Sequence, residues 1–104
     1  MIAICPDGVA DCADAALCAG CYSRTLVVAR RQARVVGACW AERTARRPEL
    51  RAVDAWPDTP KARAIARRLV AMLVRDERML DELAQATLTG AAAWWARRPA
   101  RYRG

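Results

Sequence analysis

The residues best suited to chemistry in this chain are four cysteines, Cys5, Cys12, Cys18 and Cys21, in a sequence that contains no histidine. The step Cys18-Ala19-Gly20-Cys21 is a CxxC, the spacing that lets two thiolates grip one tetrahedral ion, and Cys5 and Cys12 supply the other two corners. Zinc held by four thiolates has a closed shell. No position is left for a water or a substrate, so such a site is structural rather than catalytic. The same four ligands also suit a [4Fe-4S] cluster, which would make the chain a redox-sensing regulator.

Disulfides are the competing use of clustered cysteines. The cysteine total of five is odd, and the run from Met1 to Gly8 has neither a basic leader nor a long apolar stretch. The expected compartment is therefore the cytoplasm and the expected state the thiol. Cys39 lies beside Trp40 in a helical pattern and reads as a small core residue, with replacement of Cys5 or Cys12 in the metal site as its alternative role. Cluster-binding regulators of the WhiB type place the CxxC before a five-residue gap, whereas here the gap between Cys12 and Cys18 comes first.

The run Leu17-Cys18-Ala19-Gly20-Cys21-Tyr22-Ser23-Arg24 resembles the second half of small phage and bacterial zinc knuckles, whose pattern is Leu-Cys, two residues, His, Tyr, one residue, Arg. Cys21 stands where that family usually has histidine. The resemblance covers residues 5–24 and implies a zinc-stabilised fold, with the second ligand pair on the first turn of a helix. A phage or mobile-element origin would fit it.

Those cysteines need elements to position them, and the rest of the chain predicts a mainly α protein of one domain. A knuckle over residues 1–21 leads into a basic helix over 22–47, on which Tyr22, Leu26, Ala29, Ala33, Val36 and Trp40 recur at steps of three and four. Gly37 inside it suggests a close helix crossing. A proline-containing connector follows over 48–60, with Trp56 folded back on the core. Thr59 as N-cap and Pro60 at the first helical position open an amphipathic helix over 60–88. Its apolar stripe runs through Ile65, Leu69, Met72 and Leu73 towards Leu83, with Asp76 at the margin. Thr89-Gly90 reads as its stop. A short helix over 91–98 carries Trp94 and Trp95, one of which must stay near the surface, and a disordered basic tail spans 99–104. No stretch is apolar enough to span a membrane.

The charge is +7 overall and unevenly placed. Residues 1–21 hold three aspartates and no basic side chain; residues 22–51 hold eight arginines against two glutamates. Inside 60–88 the basic residues come first and the acidic ones later, opposite to what a helix dipole favours. Arginine suits bidentate phosphate contact and stacking. The expected nucleic-acid contacts are Arg24, Arg30, Arg31, Arg34, Arg43, Arg46 and Arg47 on the first helix, with Arg97, Arg98, Arg101 and Arg103 from the tail, for DNA or RNA without sequence preference. Ile65, Leu69, Met72, Leu73, Trp94 and Trp95 form the expected partner interface, either within a larger assembly or in a homodimer. With no histidine, no glycine-rich phosphate loop and Ser23 as the sole serine, the sequence predicts a binding protein and not an enzyme.

Overall fold

The computed structural model describes residues 17–53 and 56–103, and within them the chain is helical. Helix α1 spans Ala19–Ala45, starting three residues before and ending two residues before the predicted bounds, and is 27 residues long. Its fully buried line is Ala29, Ala33, Gly37, Ala41 and Ala45, one small residue every fourth position. Tyr22 and Leu26 pack beside that line, while Val36 and Trp40 are half-buried at its edge. A helix whose buried stripe lacks large side chains can bring its backbone against a neighbour, and that determines the rest of the architecture.

A four-residue helix α2, Pro48–Arg51, begins the connector. Helix α3 spans Pro60–Ala71, with the Thr59 hydroxyl accepting the Ala62 N–H at 3.1 Å as its N-cap and Pro60 in the first turn, as the sequence predicts. The predicted single helix over 60–88 is then corrected. The chain turns at residues 72–76, makes a 3₁₀ turn over Glu77–Met79, and starts α4 at Leu80. The physical reason is Asp76, whose carboxylate accepts the Arg78 N–H at 2.9 Å and so caps a new helical start. Thr89-Gly90 is no stop either. Helix α4 runs unbroken over Leu80–Ala96, and the separate helix predicted over 91–98 is its last two turns.

Gly90 is retained inside α4 because the crossing with α1 occurs there. A methyl group at Gly37 would overlap the Thr87 carbonyl and lie 2.9 Å from the Ala91 nitrogen, and one at Gly90 would lie 2.7 Å from the Arg34 Cα. The two glycines let the backbones touch.

Contacts along the helices establish their directions. Leu17 meets Asp76, Arg30 meets Glu82 and Gly37 meets Thr87 and Ala91, so α1 and α4 run parallel. Arg67 meets Asp81 and Arg63 meets Gln85, so α3 runs antiparallel to α4. The result is an up-down-up arrangement with α4 packed between the other two. Val70, Met79 and Leu83 form the core at the end where α1 begins, and Ala62, Ala66, Ala84 and Leu88 continue it upwards. Trp40, Trp56 and Trp95 close the far end edge-to-face, with centroids 4.8 Å and 5.7 Å apart. Trp56 therefore folds back as predicted. The tail is also part of the fold: Ala100–Tyr102 form a 3₁₀ turn and the Tyr102 ring lies 5.8 Å from Trp94.

Candidate functional site

The CxxC stands at the start of α1. Cys18 is the N-cap, its Sγ accepting the Cys21 N–H at 3.5 Å, and Cys21 lies in the first turn. Cys18 is disulfide-bonded, whereas Cys21 and Cys39 are not. A sulfur in a disulfide is no thiolate ligand, so metal at Cys18 requires that bond to be reduced. Cys5 and Cys12 lie outside the described residues. Among those described, no three Cys, Asp or Glu side chains converge on a metal position. Cys39 is exposed and not the core residue expected. It is also eighteen residues along the same helix from Cys21, about 27 Å away, which removes it from any site that Cys21 shares.

What holds this start of α1 in place is a clasp the sequence reading missed. The Leu17 N–H donates to Asp76 Oδ2 at 2.9 Å, and Arg78 binds both the Asp76 carboxylate and the Leu17 carbonyl. The Tyr22 hydroxyl donates to the Arg78 carbonyl at 3.3 Å, and the Arg78 guanidinium sits 4.7 Å from the centre of the Tyr22 ring. Asp76 is only 4% exposed. Its pKa is held well below the usual carboxylate range, first by the Arg78 side chain and next by the Leu17 N–H, which together outweigh the opposing effect of burial. The available sequence signal was the apparently reversed charge order of 60–88. With the chain broken at Asp76, Arg67 and Arg68 fall at the end of α3 and Asp81 and Glu82 at the start of α4, where the helix dipoles favour them.

The basic residues, predicted contacts and others, divide by use. Arg63 pairs with Asp58, Arg67 with Asp81 and Arg30 with Glu82, so part of the charge of the α3–α4 hairpin is answered within the molecule. Arg24, Arg31, Arg34, Arg43, Arg46 and Arg47 are exposed and face no carboxylate among the described residues. They do not form one face. Arg34 lines a surface groove between α1 and α4 that also contains half-buried Trp94 and exposed Arg97. Arg43 and Arg47 line a different cleft on the other flank of α1. Arg98 is 7% exposed, binds the Trp95 carbonyl at 2.7 Å and stacks on the Trp95 ring, so it fastens the end of α4. Arg101 lies over the Tyr102 ring and, like Arg103, is exposed.

The predicted partner interface is likewise divided. Trp95 is buried and donates its indole N–H to the Val53 carbonyl, while Ile65, Leu69 and Trp94 are half-buried. Met72 is 86% and Leu73 40% exposed at the turn after α3. No helix among the described residues is long and apolar enough to cross a membrane.

No known protein family, curated protein or solved structure matches this chain.

Proposed function

We propose that this chain is a small helical protein, stabilised in its reduced form by zinc at Cys5, Cys12, Cys18 and Cys21, that binds nucleic acid as a non-catalytic accessory or regulatory component. The observation that carries the reading is the groove where Arg34 of α1 and Arg97 beyond α4 flank the partly open Trp94 ring. Two cations around an accessible aromatic face suit a phosphate backbone with a base stacked between. The other unanswered α1 arginines extend the positive field around it.

Binding of random-sequence single- and double-stranded oligonucleotides, followed by anisotropy, tests this. Affinity falls with salt, and Arg34→Glu combined with Arg97→Glu weakens it more than about tenfold while lowering the salt slope by about two. Trp94→Ala weakens single-strand binding by about 1–3 kcal/mol and duplex binding by less. A double charge reversal that binds like the parent protein overturns the reading.

The exposure of Met72 and Leu73 favours a second reading, a protein-interaction module that self-associates or docks on a larger assembly. Self-association that resists salt and is lost in Leu73→Asp would select it.

A further inference from the structure

Where α1, α2 and α4 end and α3 begins there is a cleft of about 510 Å³, within the range of small-molecule sites. Trp40, Trp56, Trp95 and Ile65 line it with apolar and aromatic surface, and Arg43, Arg47 and Lys61 also border it. Several of its polar groups are already engaged. The Thr44 hydroxyl donates to the Ala41 carbonyl, the Thr59 hydroxyl caps α3, and the Trp95 indole donates to Val53. Those left over are all donors. Arg43, Arg47 and Lys61 are exposed and meet no carboxylate among the described residues. No acidic side chain lies among the described lining residues.

A complementary ligand is flat and apolar on one side, to lie among the indoles, and carries negatively charged acceptors on the other. We propose that this cleft binds a small planar aromatic anion, with its ring against the half-buried Trp40 and Trp56 and its acid group on Arg43, Arg47 and Lys61. The site is separate from the Arg34–Trp94–Arg97 groove, since Arg43 lies about two and a half turns beyond Arg34 and hence on the opposite side of α1.

The test uses the full chain labelled with ¹⁵N, in which the four tryptophans each contribute one indole N–H signal, titrated with 2-naphthoate and separately with adenosine 5′-monophosphate. The neutral alcohol 2-naphthalenemethanol and acetate serve as controls for charge and ring. At least one aromatic anion shifts the Trp56 signal saturably and leaves Trp94 in place, with the neutral alcohol binding about tenfold more weakly. Which anion binds tells a carboxylate ligand from a nucleotide. Lys61→Gln, at an exposed position, weakens the binding several-fold, and Trp56→Phe does the same without loss of the bundle. No saturable shift with either anion, equal binding of the neutral alcohol, or unchanged affinity in both variants overturns the proposal. Each result is read without nucleic acid and is independent of oligonucleotide binding by the other groove.

Discussion

Gly37 and Gly90 show how much a single missing methyl group can decide. Alanine is the better helix former by about 1 kcal/mol, so an exposed glycine in either helix would be improved by the change. Here the space is occupied by the partner helix's backbone, which no rotamer change can move aside. Gly37→Ala should therefore destabilise the protein despite its gain in helix propensity. Overpacking costs about 1–3 kcal/mol, and a net loss of about 1 kcal/mol would lower the melting temperature by about 5 °C. A thermal melt followed by circular dichroism measures it, and a rise would contradict the close crossing. Gly90→Ala, against the Arg34 backbone, should act in the same direction.

At the scale of elements, the decisive point is the break between α3 and α4. Periodicity alone favours one long helix, because Leu69, Met72, Met79 and Leu83 follow at steps of three, seven and four and so stay on one helical face, with only Asp76 interrupting it. Asp76 overrides it by capping the 3₁₀ turn that leads into α4 and holding the start of α1 with the same carboxylate. Its lowered pKa gives this a pH signature. The carboxylate holds its proton less readily in the folded protein than in the unfolded chain, so its stabilising effect is complete above the ordinary value of about 4 and declines as pH falls below it. Asp76→Asn should be less stable than the parent at neutral pH. The difference between the two should shrink as pH falls below about 4, as urea unfolding at a series of pH values would record. A constant difference across that range would rule out ionised Asp76 as the source of the effect.

For the whole molecule, the question is what secures the start of α1 beyond the Asp76 clasp. A disulfide at Cys18 and a thiolate metal site use the same sulfur and exclude one another. Under strong reductant without oxygen, the full chain should take up one zinc per molecule, seen by native mass spectrometry, and its melting temperature should rise with added zinc. Cys21→Ser should abolish both effects. Bound iron and sulfide would instead make the protein a redox-sensing regulator, and no metal under those conditions would remove the knuckle from the proposal.

Local rules accounted for the features that depend on neighbours in sequence. Thr59-Pro60 opens α3 and the run predicted as a helix over 22–47 is one helix, observed at Ala19–Ala45, because capping and propensity act over a few residues. The location of Trp56 was legible from its being a large apolar ring in a connector too short to carry it far from the core. The continuity of α4 through Thr89-Gly90, the burial of Arg98 and the division of the arginines between two flanks were not. Each depends on which helix lies opposite. A glycine ends a helix when it faces solvent but permits a crossing when another backbone lies against it, and an arginine is a surface charge until a carbonyl and an indole enclose it. Composition and spacing thus determine that this chain forms helices with a cysteine-rich start. Only the packing of α1 and α3 on α4 decides which of its charges and rings remain available to a partner.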